Sequence, residues 1–191
     1  MEKELNGYLR ENERVRWSGR PADFPLLEQG TKFQILRKWI LTAALAGGLL
    51  AVYCSSNETW SMGFIGLVAL IAAAIVLSPF VEHAGVKKEH YWITDQRAIL
   101  MTRDKTLYYM ELDGIDAFQV VSGVANQDCL VLGSVLFPEI HKQLRWRACH
   151  PKMDLQAHEH QDCALGMVFY GVLNAEAAAA LLSRQTRGKA A

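Results

Sequence analysis

Cys149-His150, His158-Glu159-His160 and Cys163 place two thiols and three imidazoles in one short stretch. These are the ligand types that zinc and copper take. His158 and His160, two positions apart, project to the same side of an extended chain. No paired Cys-x-x-Cys of a closed structural zinc site accompanies them, and a polar loop between two strands accounts for the same residues. A second group, Arg97, Arg103 and Lys105, has the charge that meets the phosphate of a lipid headgroup. Asp95 and Asp104 lie among these cations and offset much of their field.

Other chemistry finds less support. Ser122-Gly123 does not sit on a strand-to-helix nucleophile elbow, and Gly7, Gly30 and Gly114 build no phosphate loop. Asp113 and Asp116 fit turn-forming roles better than acid–base work. Trp146 between Arg145 and Arg147 reads as a strand with its aromatic inward; a stacking platform for nucleic acid needs more basic surroundings. The expectation is therefore no catalytic residue, no cofactor and no nucleic-acid partner. The charge agrees: 20 Lys and Arg balance 20 Asp and Glu, without the basic face of a nucleic-acid binder.

The elements that position these residues begin with two apolar stretches, Trp39–Asn57 and Thr59–Val81, separated only by Glu58. Each reaches the roughly 20 residues that a membrane-spanning helix needs. Lys32, Arg37 and Lys38 precede the first, Lys87 and Lys88 follow the second, and the Ser55–Ser61 turn has no Lys or Arg. Positive flanks stay on the cytoplasmic side, so both termini are expected there. Trp39, Tyr53, Trp60 and Trp92 sit near the boundaries, where amphipathic rings prefer to lie. Ala43/Gly47, Ala44/Gly48 and Ala69/Ala73 space small residues four apart, which predicts a close approach of the two helices. The same spacing would serve a homo-oligomer.

Before the hairpin, residues 1–15 read as a short amphipathic helix, and Phe24-Pro25-Leu26-Leu27 and Phe33-Gln34-Ile35-Leu36 as interfacial pieces. After Lys88 the pattern becomes period two. Strands are expected around Tyr91–Ile93, Ala98–Met101, Leu107–Glu111, Ala117–Ser122, Cys129–Val135, Leu144–Cys149 and Cys163–Val172. Asn174-Ala175-Glu176 then opens a helix through Leu182. Cys54, Cys129, Cys149 and Cys163 are irregularly spaced, and free thiols are expected.

Two of these segments carry a resemblance. Glu13-Arg14-Val15-Arg16-Trp17-Ser18-Gly19-Arg20-Pro21 resembles the N-terminal segment of bacterial membrane proteins with a pleckstrin-homology-like (PH-like) domain, where an acid precedes a Trp-x-Gly-x-Pro turn ahead of a helical hairpin. Tyr91-Trp92-Ile93-Thr94-Asp95-Gln96-Arg97-Ala98-Ile99-Leu100 resembles that family's first β-hairpin. In that hairpin Thr94 and Asp95 bond the turn, Arg97 pairs with Asp95 or a carbonyl across the sheet, and Tyr91, Ile93 and Ile99 supply core contacts.

The resemblance implies an α+β membrane protein. A two-helix transmembrane hairpin (37–82), preceded by a cytoplasmic or interfacial segment (1–36), leads into a PH-like antiparallel β-sandwich or barrel of about seven strands with a C-terminal helix (87–187) and a short tail (188–191). It also implies a multi-pass protein of the bacterial cytoplasmic (inner) membrane. The expected function is a non-enzymatic interaction or scaffold module. A metal-binding protein using the Cys149–Cys163 loop, or a lipid-headgroup sensor, is the alternative.

Overall fold

Unbroken runs of Leu, Ile, Val and Ala favour helix wherever no polar face is needed, and two such helices form. The computed structural model describes residues 5, 7–27, 32–123, 125–139 and 163–188. The chain divides into two units, one of residues 25–84 and one of residues 1–24 with 85–191. The first unit is a hairpin of α1 (Lys32–Ser56) and α2 (Met62–Val86), each 25 residues and each long and apolar enough to cross a membrane. Phe33–Leu36 is the opening turn of α1, not a separate interfacial piece.

Pro79 lies inside α2 and cannot donate an amide hydrogen to the carbonyl of Ile75. The Ser78 hydroxyl donates to that oxygen instead, at 3.0 Å, and the Trp39 indole donates to the next carbonyl, Val76, at 3.1 Å. Lys38 Nζ donates to Ser78 Oγ at 2.7 Å, and Trp39 stacks on Phe80. Backbone polarity freed by the proline is thus satisfied from within the hairpin. A cleft between the helices is lined by Thr42, Leu45, Ala46 and Leu49 of one and Val68, Ile71, Ala72 and Ile75 of the other. The expected small-residue contact does not form. Ala43, Ala44, Gly47, Gly48, Ala69 and Ala73 are all exposed, and a β-carbon at Gly47 or Gly48 would meet nothing within 4 Å.

The second unit is built of strands β1 (Val15–Gly19), β2 (His90–Thr94), β3 (Arg97–Met101), β4 (Leu107–Glu111), β5 (Phe118–Val121), β6 (Cys129–Leu132) and β7 (Met167–Phe169). They form two antiparallel sheets, ordered β1-β2-β3-β4 and β5-β6-β7, and not a closed barrel. Strand β1, read from sequence only as an alternating fragment after an amphipathic helix, is an edge of the first sheet. The expected helix over residues 1–15 reduces, among the described residues, to one turn in which Tyr8 and Leu9 amides bond the Leu5 carbonyl. The expected strand at Leu144–Cys149 lies outside the described residues.

Helix α3 (Ala175–Gly188) follows Asn174, whose carbonyl accepts the amides of Ala177 and Ala178. Its buried side, Ala175, Ala178 and Leu182, joins Tyr91, Ile93, Leu100, Leu130, Leu132, Met167 and Phe169 in the core between the sheets. The outer faces are covered too. Phe24, Val86 and Leu136 lie on Val121, Val131, Val168 and Tyr170, so Phe24 belongs to the β unit's core and not to an interfacial segment. Leu5 and Leu9 lie over Trp92, Ile99, Met101 and Tyr109.

The Trp-x-Gly spacing has a steric cause. Trp17 stacks on Phe169 with 5.9 Å between centroids, and Phe169 stacks on Tyr91 at 4.7 Å. The indole folds back over Gly19, where a β-carbon would sit 2.7 Å from Cζ2 and closer still to Cη2. Gly19→Ala must therefore push the indole off Phe169. A loss of about 1–3 kcal/mol is expected, read as a lower unfolding midpoint of the full chain in detergent with altered tryptophan fluorescence. An unchanged midpoint would mean the indole is not held there.

Candidate functional site

The densest gathering of polar side chains in the β unit lies where the N-terminal segment crosses the β2–β3 turn. Thr94 ends β2 and Arg97 opens β3, so a two-residue turn presents both to the chain that precedes β1. Glu13 enters this pocket with its side chain fully buried, and the Arg97 side chain is 6% exposed. Glu13 Oε1 accepts Arg97 Nε at 2.9 Å and Thr94 Oγ1 at 2.8 Å. Glu13 Oε2 accepts Arg97 Nη2 at 3.0 Å and the Arg10 amide at 2.8 Å. The same Nη2 also donates to the Tyr8 carbonyl at 2.7 Å. Thr94 Oγ1 meanwhile accepts the amides of Gln96 and Arg97, closing the turn.

Burial alone would raise the Glu13 carboxyl. The hydrogen bonds from Arg97, the Arg10 amide and Thr94 more than reverse this and hold it below its ordinary value. Arg97 also lies over the Tyr109 ring at 4.9 Å, with Arg10 at 5.5 Å from the same ring and paired to Glu111 at 2.5 Å. These arrangements fasten one segment to another. The carboxylate's acceptor sites are filled by the fold itself, which leaves it no geometry for proton transfer to a substrate.

This placement changes the reading of Arg97. It pairs with Glu13, not with Asp95; Asp95 instead accepts the Arg14 amide at 2.9 Å and lies 3.6 Å from Arg16. Ile99 packs on the outer face of the sheet, while Tyr91 and Ile93 are in the inner core. Arg103 and Lys105 are exposed in the turn after β3, with Asp104 between them held by Thr102 and Thr106. Arg97 stands at the opposite end of that strand, roughly 15–20 Å away at the rise of extended chain. The structure does not bring the three cations together.

Of the expected metal group, Cys149, His150, His158 and His160 lie outside the described residues, as does Trp146. Cys163 is half-buried beside Tyr109, bridged to it backbone to backbone. Burial, and then the nearby Glu111, push its thiol up from the ordinary value. Among the described residues, no group of three His, Cys, Asp or Glu could hold a metal ion. Asp116 acts as a turn residue: it takes the amides of Ala117 and Ser134 and the Ser134 hydroxyl, and these bonds lower its carboxyl.

One group went unnoticed in the sequence. Glu89, 3% exposed, follows α2 by three residues and precedes β2. Its partner is the Tyr91 phenol, donating to Oε2 at 2.7 Å. Burial pushes the carboxyl up to about 8, against a small downward pull from that hydrogen bond. Among the described residues, no cation offsets this burial. The run Lys87-Lys88-Glu89-His90 looks like a solvated charge cluster, so only the alternation continuing back from Tyr91 hinted at a boundary position.

Comparison of the chain with protein-family models, with characterised proteins and with solved structures finds no match.

Proposed function

We propose that this chain is a membrane-anchored, non-enzymatic interaction module whose β unit is PH-like and faces the cytoplasm of a bacterial cell. One observation carries the reading: β1 precedes the apolar hairpin, β2 follows it, and the two pair antiparallel, Val15 with Thr94 through Gly19 with Tyr91. A hairpin inserted between adjacent strands of one sheet leaves and returns on the same side of a bilayer. This agrees with the positive flanks at Lys32–Lys38 and Lys87–Lys88, and favours two spans with both termini cytoplasmic. Two antiparallel sheets with a C-terminal helix packed on them support the PH-like reading.

Binding, not catalysis, is favoured because the buried polar groups of Glu13, Thr94 and Arg97 satisfy one another. A partner is recognised through a sheet face or strand edge, and tethering in a membrane raises the local concentration for self-association. In-cell crosslinking of the tagged full-length chain, read by mass spectrometry, tests this. A dominant crosslink to itself or to one other protein is expected. Efficient labelling with no protein neighbour would overturn the reading, and terminal tags accessible from outside intact cells would overturn the orientation.

A further inference from the structure

A bare sheet edge invites another strand, so edges normally carry charge, a bulge or a cover. Three edges of the β unit are protected in these ways. Strand β1 bears the exposed Arg16, and its register with β2 shifts between Val15 and Trp17. Strand β4 is bridged by Cys163 at Tyr109, whose carbonyl also accepts the Ala164 amide at 2.8 Å. Where the chain runs on from β7, Pro21 bridges Val172, and the Ala22 amide donates to the Gly171 carbonyl at 2.8 Å. Strand β5 is different. Among the described residues it pairs only with β6, and residues 117–123 contain no charge and no proline.

The open side of β5 has a definite hydrogen-bonding phase. The Ala117 carbonyl accepts the Gly133 amide at 2.8 Å, so alternation along the antiparallel ladder turns the backbone groups of Gln119 and Val121 toward β6. Those of Phe118 and Val120 point away from it. The side chains of Phe118 and Val120 pack against the core between the sheets yet are only half-buried, whereas every residue of β6 and β7 is buried. Gln119 is exposed.

We propose that β5 pairs antiparallel with β5 of a second copy of this chain, Phe118 opposite Val120 and Gln119 opposite Gln119. This names a partner for the interaction module described above and rests on that membrane-anchored reading. The strand is its own complement. In this register Phe118 and Val120 exchange backbone bonds on both sides of a twofold axis, and each aromatic ring meets a β-branched side chain across the strands. The two Gln119 amides can donate to and accept from each other. Asp116 falls opposite Ser122, not opposite another acid. Four residues a side is far less contact than the roughly 1,200 Å² of a stable soluble interface. Confinement of both copies to one membrane supplies the missing concentration. A strand of an unrelated protein offers the same backbone but neither the shared tether nor the matched apolar pair.

The test uses the full-length chain in native membrane vesicles, with Cys54, Cys149 and Cys163 changed to Ser; Cys129 is fully buried. Two Gln119 residues facing each other form a non-hydrogen-bonded pair with Cα atoms about 4.5 Å apart, within reach of a disulfide. Gln119→Cys, oxidised by dioxygen with copper phenanthroline, should give about tenfold more disulfide dimer than Ser122→Cys, whose two copies stand about 20 Å apart in this register. Gln119→Cys/Val120→Pro should lose the dimer and keep the unfolding midpoint, since the proline removes only an outward amide. If that midpoint falls, the contrast between positions 119 and 122 decides alone. Equal crosslinking at 119 and 122, none at 119, or a dimer that survives the proline in a folded chain overturns the proposal and leaves the membrane reading standing. A Gln119→Cys disulfide formed only with another protein also overturns it, while supporting the interaction module. A chain washed from the membrane by alkaline carbonate sinks both readings.

Discussion

Glu13→Gln should destabilise the β unit by about 3–5 kcal/mol, because it leaves the Arg97 guanidinium buried without its counter-charge. Arg97→Met should cost a similar amount by stranding the carboxylate. The double variant Glu13→Gln/Arg97→Met should lose clearly less than the sum, since neither charge is then orphaned. Urea unfolding of the full chain in detergent, followed through Trp17 and Trp92, measures all three. Single variants that each cost under about 1 kcal/mol would show that the pair does not fasten the N-terminal segment. The pH dependence has a fixed sign: the folded carboxyl sits below its ordinary value of 4.5, so its contribution is present above that value and is lost as pH falls through the folded one.

Glu89→Gln should do the reverse and stabilise the protein. The folded carboxyl is raised to about 8 from 4.5. Below the ordinary value both folded and unfolded chains hold the proton and the residue is harmless. As pH rises toward 8 the unfolded chain releases a proton that the folded one must keep, and stability falls. At pH 7 this amounts to about 3 kcal/mol, at 1.36 kcal/mol for each pH unit. The Gln variant keeps an acceptor for Tyr91 and has no proton to lose. Its midpoint should exceed that of the parent at pH 7–8, and the two should converge near pH 4.5. Equal stability at both ends of that range would mean Glu89 is solvated in the folded chain. The two carboxyls together place the most stable point of the β unit at mildly acidic pH.

Much of this architecture is readable in the residues, and the exceptions have identifiable causes. The helices were legible because Ala69–Leu77 has no polar face at all. Their ends were not, since Lys32, Arg37 and Lys38 interrupt hydropathy without breaking helix, and α1 runs through all three. Strands β2 to β4 follow local alternation. Strand β1 is short, and its partner lies beyond the hairpin, so neighbouring residues do not reveal that it belongs to a sheet. Arg97 beside Asp95 suggested a local pair, because sequence ranks partners by nearness along the chain; burial selects instead the carboxylate 84 positions away. The two segments that carry the family resemblance thus turn out to hold each other. The small residues of α1 misled for a different reason: spacing four apart defines a face without saying which neighbour it meets, and Trp39, Thr42 and Ala46 take the inner one.

The pairing of β1 with β2 has a consequence for how the chain is made. Glu13 leaves the ribosome long before Thr94, its partner 81 positions later. At about 5–20 residues per second that wait lasts roughly 4–16 seconds, during which Leu5, Trp17 and Phe24 have no surface to cover them. Both apolar helices are synthesised within the interval. A chain whose hairpin inserts with its ends on opposite faces of the bilayer could never bring the two strands together. On the proposed membrane reading, completion of the sheet therefore requires both ends of the hairpin on one face of the bilayer.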